Sequence, residues 1–205
     1  MKTAILLDFD DTLLDTQQFI KERDKFTAVP QATRQKIEQH VREYRAGQHR
    51  TFNYFRVLTE EEKIVMHEQL VASVSKLLFQ DVLPWLANLD KNQYQAIIFT
   101  HGDEDFQQRK IRATELNLPV ICVDSDNKTE LISGWWRGDH YLVDDQKFAR
   151  IMLVDDKAKN FDGFDKLPGA RGFLMQRGIG HRVPQVVAKL PKNVSVISSL
   201  DQIML

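Results

Sequence analysis

An α/β fold built on a mainly parallel sheet is what this sequence predicts, on three observations. Short apolar runs recur along the 205 residues at AILL, QAIIF, PVICV, ARIMLV, RGFLM and VSVIS. Each has the length of a strand, and the segments between most of them are long enough for helices, the alternation that gives parallel sheets. One region, from about Thr16 to Gln80, breaks that rhythm: it is rich in Gln, Lys, Arg and Glu and has no buried-strand run. The expected organisation is therefore a core formed by residues 1–15 and 81–205, with a small helical module, residues 16–80, inserted after the first strand.

The first element, Ile5-Leu6-Leu7, reads as a strand buried on both faces. Within the insertion, QATRQKIEQHVREYRAG follows Pro30 and stops near Gly47, a helix with a start and an end. The stretch TEEEKIVMHEQLVASVSKLLF opens with Thr59 as an N-cap and acids in its first turn. Its Ile64, Leu70, Val71, Val74, Leu77 and Leu78 recur at helical spacing.

Composition narrows the function. Lys plus Arg is 28 and Asp plus Glu is 29, so bulk charge favours neither nucleic acid nor a membrane surface. The single Cys122 excludes an internal disulfide and points to a reducing compartment. The chain runs almost at once into TAILLDF without a secretion pattern, and no apolar run approaches the ~20 residues of a membrane span. A cytoplasmic protein is expected, and nothing in the sequence speaks to its oligomeric state.

Ligands of open α/β sheets bind beyond the carboxyl ends of the strands. After AILL come Asp8, Asp10 and Thr12; after QAIIF come Thr100, His101 and Gly102; after ARIMLV come Asp155 and Asp156, with Asn160 a turn later. Lys128 lies downstream of PVICV. Two carboxylates ~4 Å apart repel by about 4 kcal/mol at an effective dielectric near 20, so converging acids call for a cation. Magnesium suits oxygen ligands and is commonly shared with substrate phosphate. Extended side chains alternate, so Asp8 and Asp10 share a side and Asp11 does not. One carboxylate can attack phosphorus, and the other can protonate the leaving group and then activate water.

Asp8-Phe9-Asp10-Asp11-Thr12 resembles the DxDxT signature of the haloacid dehalogenase superfamily. Thr100 is similar to its second motif, Lys128 to its lysine motif, and Asp155-Asp156 with Asn160 to its acidic DDxxxN motif. The resemblance spans the chain, and the insertion sits where that family places a type 1 cap. It implies a Rossmann-like core, a mobile cap, Mg2+ and hydrolysis of a small phosphorylated metabolite. It further implies Asp8 as nucleophile, Asp10 as acid and base, and a metal held by Asp8, the Asp10 carbonyl and Asp156, with Asp155 nearby. Thr100 would bind phosphoryl oxygens, with Thr12, His101 and Gly102 around it, and Lys128 would neutralise charge. Asp10 is where phosphatases part from dehalogenating members.

Other assignments stay open at this point. Lys147 in DDQKFARIML rivals Lys128, although it sits close to the last acidic strand end. Asp124 and Asp126 read as a solvated turn, and no strong apolar run delivers Asp144-Asp145 to a strand end. Trp135-Trp136 reads as core packing or a helix end, and RGIGH as a turn. Arg42, Arg45, His49 and Arg50 form either a solvated helix end or an anion contact. A phosphotransferase or phosphomutase keeps the same motifs. A receiver-like binding module uses similar residues but lacks both the insertion and a first-strand DxDxT.

Overall fold

Four consecutive residues of the first apolar run, Ala4 to Leu7, have no exposed surface. The structure is a computed structural model and describes residues 1–24, 30–49, 51–74, 76–125, 127–178 and 189–205. Those four residues lie in β1 (Lys2–Leu7), the centre of a sheet that continues through β2 (Tyr94–His101) and β3 (Val120–Val123) on one side. On the other side run β5 (Gln146–Asp155), β6 (Arg171–Met175) and β7 (Val194–Ile197), all parallel to β1. These are the six apolar runs. Alternate β1 residues face two separate apolar clusters: Ile5 and Leu7 pack with Phe106 and Ile111, and Ala4 and Leu6 with Phe161 and Phe164. Coverage on both faces is why the run shows no polar alternation.

The seventh strand, β4 (Tyr141–Val143), was not expected from the sequence; it pairs antiparallel with the start of β5. Its turn is Asp144-Asp145, both left-handed at φ 46° and 61°. Two positive-φ residues close a tight hairpin whose twist suits the flanking strands, and aspartate tolerates that region better than most side chains. The acidic pair is thus turn chemistry. The hairpin also removes Lys147 from the site. Eight residues along β5 separate it from Asp155, roughly 26 Å at ~3.3 Å per residue.

Between β1 and β2 the described residues form α1 (Thr16–Asp24), α2 (Gln31–Arg45), α3 (Glu60–Val74) and, after residue 80, α4 (Val82–Asn88). Thr59 caps α3 reciprocally: the Glu62 amide donates to Thr59 Oγ1 at 3.3 Å and the Thr59 amide donates to Glu62 Oε2 at 2.8 Å. Glu62 also accepts from Thr33 Oγ1 at 2.6 Å and Lys36 Nζ at 3.0 Å, which ties α2 to α3. The buried stripe of α3 is Met66, Leu70 and Val74, whereas Ile64 and Val71 of the expected apolar set are exposed. Trp135 caps α6 (Lys128–Gly134), and both Trp135 and Trp136 pack on the core, as the sequence suggested. No helix among the described residues is long and apolar enough to cross a membrane.

A buried ion pair fixes the loop after β1. Asp81 Oδ2 accepts from Arg177 Nη1 at 2.6 Å, Ser199 Oγ at 3.0 Å and the Leu200 amide at 2.6 Å. Arg177 also donates to the Thr12 carbonyl at 2.7 and 3.1 Å, so the loop after β1 is tied to the segment that follows β6. Of the Arg177–His181 stretch read as a turn, residues 179–181 lie outside the described residues. Asp81→Ala strands Arg177 and should lower unfolding free energy by about 3 kcal/mol. Burial pushes the Asp81 carboxyl up, but the Arg177, Leu200 and Ser199 bonds outweigh it and hold it below its usual range. A depressed carboxylate contributes stability above its unfolded pKa and loses it as pH falls towards the depressed value. Denaturant titrations should therefore show the wild-type advantage shrinking below about pH 3.8, the ordinary aspartate value.

Candidate active site

β1 and β5 leave the sheet in opposite connection directions, the switch point where open α/β sheets bind ligands. Their register sets Leu7 beside Val154, so Asp8 and Asp155 emerge from adjacent strands at the same level. The Asp8 amide still donates to the Val154 carbonyl at 2.9 Å, which fixes its direction. Asp11 then takes φ 59°, reversing the chain so that the loop folds back over the strand end.

Lys128 completes the centre. It is the first residue of α6, whose Asn127 cap accepts from the Glu130 amide. Its ammonium lies 2.6 Å from Asp8 Oδ1 and 2.7 Å from Asp155 Oδ2, and its side chain is 1% exposed. Asp155 is filled on its other oxygen, accepting from the Lys157 amide at 2.8 Å and Asn160 Nδ2 at 2.9 Å. Asp155 is thereby a holder of Lys128, while the half-buried Asp156 faces the cavity.

Lys128 and the nearby Lys157 together do not neutralise three acids. Carboxylate oxygens of Asp8, Asp155 and Asp156 lie within 4.8 Å of one another. Burial pushes the Asp8 carboxyl up to about 7, with Asp155 and Asp156 adding to the cost and Lys128 offsetting only part. Burial acts to lower Lys128, but Asp155 and Asp8 overcome it and hold the ammonium well above the usual lysine range. An all-oxygen donor set with excess negative charge fits a hard divalent cation such as Mg2+.

Asp10 sits in a cradle that the sequence reading missed. Its carboxylate accepts from Thr16 Oγ1 at 2.9 Å, Gln107 Nε2 at 3.0 Å and Lys110 Nζ at 2.6 and 2.7 Å. Against the upward push of burial, Lys110, Gln107 and Thr16 hold this carboxyl below its ordinary range. Gln107 and Lys110 belong to α5 (Glu104–Ala113), which starts right after β2 with Asp103 as its cap. The sequence signal was present: both fall among Phe106, Ile111 and Ala113, the buried positions of that helix. Polar residues on a helix's apolar stripe ask for a buried partner. Gly102, at φ 150°, makes room for them, since a Cβ there would lie 2.8 Å from Gln107 Nε2.

The other expected residues divide. Thr100 is buried in β2, one strand from Asp8, and His101 and Gly102 line the cavity with Asp10, Asp156 and Lys157. Thr12 is fully buried, its carbonyl taken by Arg177, and like Asp8, Thr100 and Lys128 it lies behind the residues that line this cavity. Lys147 and Asp124 are exposed, and Asp126 and Arg50 lie outside the described residues. Arg42 and Arg45 are exposed on α2, and His49 pairs with Glu43 at 3.2 Å.

His40, Glu43 and His49 also bring ligand atoms within 4.8 Å. The two imidazole centroids lie 4.8 Å apart with their planes tilted by 33°. This group packs the insertion.

Comparison with known proteins agrees with the architecture. Solved structures that match include a haloacid dehalogenase-like hydrolase from Burkholderia xenovorans LB400, at 17% identity over 97% of this chain and 95% of that one, TM-score 0.64. The HAD-hydrolase YfnB from Bacillus subtilis, described bound to magnesium, matches at 14% identity over 98% and 95%, TM-score 0.52. A haloacid dehalogenase from Pseudomonas syringae matches at 14% identity over 98% and 96%, TM-score 0.53. Comparison with curated proteins gives no match. Residues 2–133, more than half of the chain, match the haloacid dehalogenase-like hydrolase family, and together with the sheet, its switch point and the strand-end acids this places the chain in that family.

Proposed function

We propose that this hydrolase is a Mg2+-dependent phosphohydrolase that cleaves a small phosphoester through an aspartyl-phosphate on Asp8. The observation that carries the reading is a pair of carboxylates with separate environments: Asp8 bridged by Lys128 within an acidic triad, and Asp10 held apart in its four-bond cradle. Asp8, the Asp10 carbonyl and Asp156 are the groups to hold the metal, which when bound supplies positive charge to the phosphoryl oxygens. Asp8 attacks phosphorus as the ester bond breaks, and Asp10 passes a proton to the leaving alkoxide. Water then attacks the acyl phosphate, Asp10 takes its proton, and Asp8 and phosphate are regenerated. Lys128 neutralises charge on nucleophile and phosphoryl group throughout, and the insertion (residues 16–80), as a cap, would exclude water on closing.

Some structural neighbours are dehalogenases. A halide leaves without a proton, so dehalogenation gives Asp10 no acid role in the first step and leaves the excess acidity around Asp8 without a task. Phosphoester cleavage uses both. The purified protein, assayed on a phosphoester panel, should release inorganic phosphate with added Mg2+ and lose activity in EDTA. Chloropropionate should yield no halide. Halide release without phosphate release would reverse the reading, and phosphate appearing on an added alcohol in place of water would make the enzyme a transferase.

A further inference from the structure

We infer that the leaving group of the substrate is uncharged and carries a single aromatic ring, a reading that rests on the proposed phosphohydrolase and names its substrate class. A cavity of about 320 Å³ opens in front of Asp10 and Asp156. That lies at the small end of the roughly 300–1,000 Å³ typical of ligand sites, enough for a phosphoryl group and one ring system. Its core side carries the charged residues Asp10, Asp11, Asp156, Lys110 and Lys157. Its other side is built by the insertion, and every described residue lining it there is uncharged: Thr16, Gln17, Phe19, Ile20, Tyr44, Thr51 and Phe52.

Two features of that wall decide the class. A second phosphate or a carboxylate on the leaving group would be desolvated against it, and the two lysines across the cavity are already engaged, Lys110 by Asp10 and Lys157 by the charges of Asp8, Asp155 and Asp156, so such a group is costly there. Meanwhile Tyr44 and Phe52 line the cavity over Phe19 and Phe106, which are nearly fully buried behind them. Tyr44 and Phe52 are tilted at 5.4 Å, and Phe52 meets Phe106 edge-on at 5.6 Å. Such an array receives a further ring in offset or edge-to-face geometry. Gln17 and Thr51 add hydrogen-bonding groups, so the ring could be borne on a sugar or stand alone.

The test uses the full chain with Mg2+ and four esters: benzyl phosphate, cyclohexylmethyl phosphate, phosphoglycerate and a pyrimidine nucleoside monophosphate. The ring-bearing esters should exceed cyclohexylmethyl phosphate and phosphoglycerate roughly tenfold in kcat/KM. The better of the two ring-bearing esters shows whether the ring comes alone or on a sugar. Phe52→Leu and Tyr44→Leu keep apolar bulk but remove a ring, and each should raise KM for ring-bearing esters roughly five- to tenfold while leaving the cyclohexyl ester unmoved. Equal rates across the panel, or a preference for phosphoglycerate, overturn the inference. Calorimetric binding of benzylphosphonate against methylphosphonate keeps the two readings apart. If no ester is hydrolysed, the phosphohydrolase reading fails, and the ring preference still stands or falls on the phosphonates.

Discussion

Asp8→Asn is expected to abolish turnover and to leave no covalent phosphate on the protein, whereas Asp10→Asn should accumulate it. Asparagine at position 8 keeps the bond to Lys128 through its oxygen but has no charge to form the acyl phosphate. At position 10 the substitution spares the nucleophile and the backbone carbonyl. It removes the proton donor of the first step and the base of the second, each worth about 10² to 10⁴ in rate. The structure adds a distinction. Lys110, Gln107 and Thr16 hold Asp10 as the carboxylate, the form the second step needs. The first step draws on the protonated form of Asp10, so esters with poor leaving groups should suffer most in Asp10→Asn, and a nitrophenyl ester, which leaves without a proton, should partly recover that step. Rapid-quench labelling reads both variants. Covalent phosphate on Asp8→Asn would remove Asp8 as the nucleophile.

Lys128→Met should be the most damaging single change to both activity and stability. The side chain is buried and bridges Asp8 to Asp155, so its loss leaves two desolvated carboxylates without their cation. Breaking a buried pair in this way costs roughly 3–5 kcal/mol. The pH dependence gives the deficit a sign. A carboxyl whose folded pKa lies above its unfolded value destabilises the fold progressively as pH rises through that interval. Asp8 already sits near 7 with Lys128 present, against an ordinary 3.8, and loss of the lysine removes the charge that holds it down. The gap between variant and wild type, measured by denaturant titration, should widen as pH rises through about 7, the folded wild-type value of Asp8, because below it both proteins lose stability in step. Lys147→Ala removes an exposed side chain at the far end of β5 and should change neither activity nor stability. The reverse ranking of these two lysines would return the catalytic role to Lys147.

The sequence by itself determined the parts that depend on local pattern. Both-face burial produces runs such as Ala4–Leu7 with no polar alternation, and six of the seven strands could be read from that. Strand-end acids are visible for the same reason, since Asp8 and Asp155 interrupt or end an apolar run. Thr59 with Glu62 announced the start of α3, because a cap is made within three residues of chain. Contacts across long separations were decided only by the tertiary structure. Lys128 meets Asp8 across 120 positions and Lys110 meets Asp10 across 100, and no local periodicity encodes which lysine arrives. β4 was hidden because three residues are too short to show a period, and its turn used Asp144-Asp145 in place of glycine. The exposed Ile64 and Val71 make the same point in reverse. Helical spacing defines a stripe, but what packs against α3 decides which stripe is buried, and that choice is made by α5 and α1.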